Sequence, residues 1–294
     1  MPEFFKVVTP DKVFESLSSF ERPGVESVPL ESARGRVAGA DFESAEDLPP
    51  APRSTMDGYA VDARDTHGAS GSIPALLEIA GSVEMGRMPG FSIKRGQAAE
   101  IPTGGFLPQG ADAVVMVEYT NATGGGEVEI DRPVTAGENV LGRADDVAAG
   151  QTVVRAGRRL RPQDVGMLAA MGFTSVTVGR RPVVAVISTG DEIVPVDETP
   201  SPGNVRDINT HSICALVEDA GGVAKAYGIV KDRKELLGSA VKQGLEEADV
   251  VVLSGGSSVG ERDHMVEVTG GLPGAEIMAH GVAISPGKPT LLAG

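Results

Sequence analysis

A strand and helix alternation beginning at Pro182 constrains the fold most. The apolar segment Val183–Ile187 predicts a buried strand, and a helix around His211–Asp219 should end at Gly221-Gly222. Strand AYGIV, the helical segment RKELLGSAVKQGLEEA and strand DVVVLSGG follow in turn. Apolar strands joined through helices favour a mainly parallel sheet with helices on both faces, and ligands bind at the carboxyl ends of such strands.

The N-terminal half has other patterns. Thr9-Pro10-Asp11 predicts the start of an amphipathic helix whose apolar face carries Val13, Phe14, Leu17 and Phe20. From Tyr59 to about Leu141, short β-type runs separated by Gly and Pro indicate a mostly β domain. RPQDVGMLAAMG then predicts a short helix that Gly172 ends.

We therefore predict a multidomain α/β protein with three parts. Residues 1–45 and 146–180 would form a helical and β linker and dimerisation domain, and residues 46–145 a small β-rich domain. Residues 181–294 would form a three-layer α/β domain with a mainly parallel sheet. A chain of 294 residues with 41% hydrophobic residues is long enough for two or three such domains.

Composition excludes several classes of function. A net charge of −15 disfavours non-specific binding to nucleic acid or to an anionic membrane surface. No apolar segment approaches the length of a membrane span and no signal peptide is visible, so we expect a cytoplasmic protein. The single cysteine, Cys214, is predicted to pack in the core, and the four histidines lack the spacing of a zinc site.

Two loops at predicted strand ends carry ligand-type chemistry. Ser254-Gly255-Gly256-Ser257-Ser258 exposes backbone amides that can hold phosphate, although a plain glycine-rich turn explains it equally well. Asp263 lies just beyond and could hold Mg²⁺ against that phosphate. In STGDEIV, Thr189 and Gly190 precede two carboxylates, Asp191-Glu192, which form either a hard-cation site or a solvated loop.

Further polar residues lie beside turns. STMDGYAV and EIPTGGF place Asp57 and Thr103 next to flexible glycines, and either segment could contact a ligand or serve as a turn. LGRADDV adds Asp146, and Lys288 lies between Gly287 and Pro289 as a candidate anion contact.

Seven motifs follow one another across the chain. They are STMDGYAV, IPTGG followed by GADAVV, GRADDV, STGDE, RDIN, SGGSSVGERD and PGKPT. In this order they resemble the molybdopterin molybdotransferase family, the molybdenum insertases, which includes the C-terminal domain of gephyrin. The resemblance implies a molybdopterin-binding fold for the last domain. It also implies molybdenum cofactor biosynthesis, in which molybdate enters adenylylated molybdopterin and AMP is released.

The resemblance also implies site residues and partners. Catalytic residues would be Asp57, Thr103, Asp146, Glu192, Asp263 and Lys288; cofactor-binding residues would be Thr189, Gly190, Ser254, Gly255, Gly256, Ser257 and Ser258. Glu192 and Asp263 would hold a divalent cation, usually Mg²⁺. Family members are homodimers whose site is shared between subunits, and partners would include a molybdopterin adenylyltransferase and cofactor-accepting apoenzymes, but neither nucleic acid nor membrane.

The family pattern differs from this sequence in two places. Ser285 stands before PGKP where a basic residue is expected, and the family continues beyond Gly294, so we expect a shortened chain. A molybdopterin adenylyltransferase is one alternative, which the STMDGYAV and IPTGG region argues against. A gephyrin-like scaffold or binding module is the other. Molybdate and tungstate are similar tetrahedral dianions, which the sequence does not distinguish.

Overall fold

The chain forms two compact units in the computed structural model, which describes residues 7–255 and 264–294. The α/β unit comprises residues up to Gly39, Arg159–Arg161 and Ser175–Gly294, and the β-rich unit comprises Ala40–Arg158 and Pro162–Thr174. Residues 175–180, predicted with the linker domain, thus group with the α/β unit. The division into three domains stays a prediction.

The described residues form five α-helices, three short 3-10 helices and nineteen strands. The helices are α1 (Pro10–Leu17), α2 (Pro162–Ala170), α3 (Asn209–Ala220), α4 (Lys234–Glu247) and α5 (His264–Gly270). The strands are β1 (Val25–Pro29), β2 (Phe42–Glu43), β3 (Arg53–Ser54), β4 (Gly58–Val61), β5 (Ala75–Ser82), β6 (Gln97–Ile101), β7 (Ala113–Met116), β8 (Thr120–Ala122), β9 (Glu127–Ile130), β10 (Val140–Leu141), β11 (Thr152–Val154), β12 (Ser175–Gly179), β13 (Val183–Thr189), β14 (Ile193–Val194), β15 (Val205–Arg206), β16 (Val223–Val230), β17 (Val250–Ser254), β18 (Ile277–His280) and β19 (Leu291–Ala293).

A six-stranded mixed sheet is the centre of the β-rich unit. Its order is β7-β4-β6-β5-β9-β8, and only β5 and β6 run parallel. Tyr59 and Val61 of β4 face one apolar cluster, whereas Ala60 faces another. Because both faces of β4 are covered, its sequence GYAV is continuously apolar instead of alternating. Two short strand pairs, β2 with β11 and β3 with β10, and helix α2 also belong to this unit.

A parallel three-stranded sheet is the centre of the α/β unit. Its order is β16-β13-β17, and Ser188 of β13 pairs with Ser254 of β17. Gly244 of α4 lies against Ala185, whereas Thr210 of α3 bonds Ser188. Since alternate side chains of a strand point to opposite faces, α4 and α3 cover opposite faces of β13. The three-layer arrangement predicted from sequence is confirmed.

The helices follow their predicted end signals with one difference. Gly221 ends α3 with φ +96°, and Gly172 follows α2 with φ +80°. Helix α1 begins at Pro10 as predicted, yet the side chain of Thr9 makes no capping hydrogen bond. None of its apolar residues is buried, and Phe14 is 69% exposed. Against the described part of the chain, the amphipathic pattern of α1 therefore does not correspond to core packing.

Cys214 is half-buried on α3, and burial raises the pKa of its thiol, which disfavours the reactive thiolate. No helix in the described part of the chain combines the length and hydrophobicity needed to cross a membrane.

Candidate functional site

Asp57 and Thr103 meet in the β-rich unit. The loop before β4 carries Asp57, whose Oδ1 accepts a hydrogen bond of 2.7 Å from the Thr103 amide. This amide, and next the Thr103 hydroxyl, hold the pKa of Asp57 below its usual value. The contact joins two sequence motifs that lie 46 residues apart. It leaves an ionised, exposed carboxylate beside the turn of IPTGG.

Asp146 lies near the STMDG motif, because it pairs with an arginine directly before that motif. Arg53 of β3, four residues before Asp57, lies with Nη2 at 3.6 Å from Asp146 Oδ2. Backbone pairing of β3 with β10, and of Arg53 with Phe106, holds these segments together. The structure therefore brings the STMDG, IPTGG and GRADDV motifs together in one unit.

The neighbouring charges of GRADDV have structural partners. Arg143 Nε donates to Asp47 at 2.6 Å, and Asp145 accepts a 2.6 Å hydrogen bond from the Gly142 amide. Asp146 is thus the acid of GRADDV whose side chain approaches Arg53, the residue directly before the STMDG motif.

Thr189 and Ser254-Gly255 meet at the carboxyl edge of the parallel sheet. Thr189 ends β13, Ser254 ends β17, and a Cβ placed on Gly255 would lie 1.9 Å from the Thr189 carbonyl oxygen. Only glycine permits this approach, which fits the φ of +119° at Gly255. The Thr189 hydroxyl is fully buried yet has no hydrogen-bond partner among the described residues. An orphaned hydroxyl at a strand end is a feature typical of a ligand site.

Glu192 lies beside the same edge. Its carboxylate oxygens are 2.8 and 2.9 Å from the place where a Cβ on Gly190 would stand, so the side chain folds back over the loop. Carboxylate oxygens are the hard donors that Mg²⁺ prefers, and the Glu192 side chain fits that requirement. Within residues 7–255 and 264–294, no group of three or more His, Cys, Asp or Glu residues could hold a metal ion.

Four predicted site residues lie outside the described residues. They are Gly256, Ser257, Ser258 and Asp263. The predicted phosphate loop and the second predicted metal ligand therefore stay predictions beyond Gly255.

Lys288 lies in the loop between β18 and β19. Its carbonyl accepts hydrogen bonds of 2.9 Å from the amides of Val282 and Thr290, which fix the backbone. The side chain is exposed, and its ammonium forms no ion pair with the described residues. Lys288 is therefore available to an external anion. Lys288 belongs to the α/β unit, and no described contact joins it to Thr189.

Sequence reasoning overlooked a buried polar group next to this edge. Asp207 is 6% exposed and accepts hydrogen bonds from Ser188 and Thr210. Its signal was present, because RDIN is one of the ordered motifs, but the motif alone did not indicate a role.

Two models of known protein families together match most of the chain. Residues 8–172 match the model of the "MoeA N-terminal region (domain I and II)", and residues 185–294 match the "Probable molybdopterin binding domain". The chain belongs to the MoeA family. The first match contains Asp57, Thr103 and Asp146, and the second contains Thr189 and Lys288.

Several MoeA relatives are similar over most of the chain. A molybdopterin molybdenumtransferase of Nostoc sp. is 37% identical over 91% of this chain and 61% of its own length. That of Bacillus subtilis is 32% identical over 96% of this chain and 66% of its own length. The chain thus spans about two thirds or less of the length of these curated relatives.

Solved MoeA structures have the same fold. Two solved structures of molybdopterin biosynthesis MoeA proteins from Pyrococcus horikoshii each match 98% of this chain and 72% of their own. Their TM-scores are 0.76 and 0.81, at 40% and 31% identity respectively. The multidomain α/β fold predicted from sequence is therefore that of MoeA proteins.

Proposed function

We propose that this protein inserts molybdate into adenylylated molybdopterin, releasing AMP and molybdenum cofactor. The relatives named molybdopterin molybdenumtransferase support this activity. The structural observation that carries the proposal is the buried Thr189 hydroxyl beside Ser254-Gly255, which has no hydrogen-bond partner in residues 7–255 and 264–294. Such a hydroxyl, together with loop amides at the end of a parallel strand, suits an anionic group such as phosphate.

The remaining residues have complementary roles in this proposal. Lys288 would neutralise anionic oxygens, whereas Asp57 and Asp146 would orient polar groups of the substrate. Glu192, with Asp263, would hold Mg²⁺. When bound, the cation offsets negative charge on the phosphates. The protein would act in the cytoplasm, with a molybdopterin adenylyltransferase and cofactor-accepting apoenzymes as partners.

Replacement of Thr189 by valine is expected to separate ligand binding from stability. Valine keeps the shape of the side chain but removes the hydroxyl. Because the hydroxyl has no partner among the described residues, T189V should leave the free energy of unfolding unchanged or raise it. Lost hydrogen bonding to an anion should weaken binding of adenylylated molybdopterin by about tenfold or more. Calorimetric titration, with and without Mg²⁺, measures this affinity.

Thr66 offers a matched control in the β-rich unit. It is also fully buried, but its hydroxyl donates to Ala63 at 2.8 Å and accepts from the Val134 amide at 3.0 Å. T66V should therefore destabilise the protein by about 1–3 kcal/mol without changing affinity. Unchanged affinity in T189V would contradict the proposed role of the edge. Absence of any binding by the folded parent chain would contradict the proposed activity.

We further propose a homodimer with a site shared between subunits. Asp57 and Thr103 of one subunit would act on ligand held by Glu192, Asp263 and Lys288 of the other. If this is correct, mixing inactive Asp57→Ala and Asp263→Ala chains should restore activity, because one site in a mixed dimer would have both intact sets. Up to about a quarter of the sites can be intact after random pairing. No recovery after verified subunit exchange would exclude a shared site.

A further inference from the structure

A buried polar network joins the central strand of the parallel sheet to α3. Asp207 Oδ1 accepts hydrogen bonds from Ser188 Oγ at 2.8 Å and from the Thr210 amide at 3.1 Å. The hydroxyls of Ser188 and Thr210 are 2.9 Å apart and share a further bond. All three residues are at least 94% buried, since none exceeds 6% exposure. Water cannot replace these partners without a change in packing.

The segment that carries Asp207 also contacts both ligand-type loops. The Val205 amide donates to the Glu192 carbonyl at 2.9 Å, and the Asp207 amide donates to the Val194 carbonyl at 2.9 Å. Asn209 Nδ2 donates to Ser254 Oγ at 2.6 Å. The STGDE loop and the strand end at Ser254 are therefore bonded to one segment, residues 205–210. Asp207 is the buried anchor of that segment.

A helix cap alone would not require this arrangement. The Thr210 amide would satisfy a capping carboxylate, as the Arg64 amide does for Asp62 elsewhere in the chain. Asp207 also bonds Ser188, the residue directly before Thr189 and the strand partner of Ser254. Burial raises the pKa of Asp207, but hydrogen bonds from Thr210 and Ser188 outweigh it and hold the pKa below its usual value. The group is therefore an ionised acceptor.

We infer that Asp207 is a positioning residue that holds Thr189, Glu192 and Ser254 in register for anion binding. The inference rests on the proposed function for its ligand, but the geometry that it assigns to the loops can be measured without ligand. Asp207 contacts Ser188 and Thr210 and acts on the ligand only through these neighbours. Its removal should loosen the two loops before it affects distant parts of the fold.

Amide hydrogen exchange of the ligand-free chain tests the positioning role. In Asp207→Ala, exchange at residues 189–194 and 254–255 should accelerate at least about tenfold relative to the parent chain. Asp207→Asn keeps an oxygen acceptor and should restore much of the protection. Asn209→Ala removes only the exposed hydrogen bond to Ser254, so it should accelerate amide exchange at residues 254–255 alone. This variant provides a test if Asp207→Ala does not fold. Asp62→Ala, a matched buried carboxylate in the β-rich unit, should leave these amides unchanged.

Titration with AMP provides the second measurement. Its dissociation constant should rise about tenfold or more in Asp207→Ala and much less in Asp207→Asn, with no change in Asp62→Ala. Parent-like exchange in the loops of Asp207→Ala, or of Asn209→Ala if the former does not fold, would overturn the inference. Failure of the parent chain to bind AMP would instead count against the proposed function. The hydrogen-exchange data would still decide whether Asp207 positions the loops.

Discussion

Replacement of Gly255 by alanine is expected to destabilise the α/β unit by about 2–5 kcal/mol and to remove AMP binding. The new Cβ would lie 1.9 Å from the Thr189 carbonyl oxygen, a backbone atom that cannot move without shifting the end of β13. The φ of +119° adds conformational strain for any residue with a side chain. Urea unfolding and calorimetry measure the two effects.

Gly238→Ala is the matched control for this change. Gly238 lies within α4, and a Cβ there would meet no atom within 4 Å. Alanine should therefore stabilise the helix by about 0.5–1 kcal/mol and leave AMP affinity unchanged. Parent-like stability of Gly255→Ala would show that β13 and β17 do not approach as closely as described.

Leu237→Ala is expected to cost about 2–5 kcal/mol of unfolding free energy. Leu237 is fully buried on α4 and packs with Val241 and Val268. Partly buried residues of β16, β17, α5 and the loop after α5 pack against this cluster. Truncation removes apolar contacts and leaves a cavity under the helix that forms one outer layer of the unit. Urea unfolding followed by a probe in the α/β unit would measure the loss.

The adjacent residue provides the comparison. Leu236 is 45% exposed, so Leu236→Ala changes the same side chain on the same helix with little effect on packing. Its cost should stay below about 1 kcal/mol. Equal costs for the two substitutions would mean that the buried face of α4 is assigned incorrectly.

The fold of the α/β unit could be predicted because its local signals agree. Continuous apolar strands, helical periodicity and the glycine at the end of α3 all indicate the same parallel layered structure. Helix α1 shows the limit of this reasoning. Periodicity indicates an apolar face, but it does not identify the surface that covers that face. The predicted start of α1 is observed at Pro10, and Phe14 on its predicted apolar face is 69% exposed.

The site could be predicted in part. Motif order selected Asp57, Thr103 and Asp146, and the structure brings them together through hydrogen bonding and the pairing of β3 with β10. Asp207 was overlooked because a buried acid is recognised by its partners, and Ser188 lies 19 residues away in the sequence. Long-range pairing of this kind is set by the topology of the sheet, which no local pattern contains.

The pairing of β2 with β11 has a consequence for how this protein can change. The two strands run antiparallel, and Ser44 exchanges backbone hydrogen bonds with Gly150 and Gln151. The segment between these strands includes the whole six-stranded sheet. Its first and last residues therefore lie next to each other. A segment with adjacent ends can be exchanged between homologues or enlarged without moving the residues at which it joins the rest of the chain. Asp57 and Thr103 lie within this segment, so such an exchange would move both residues together.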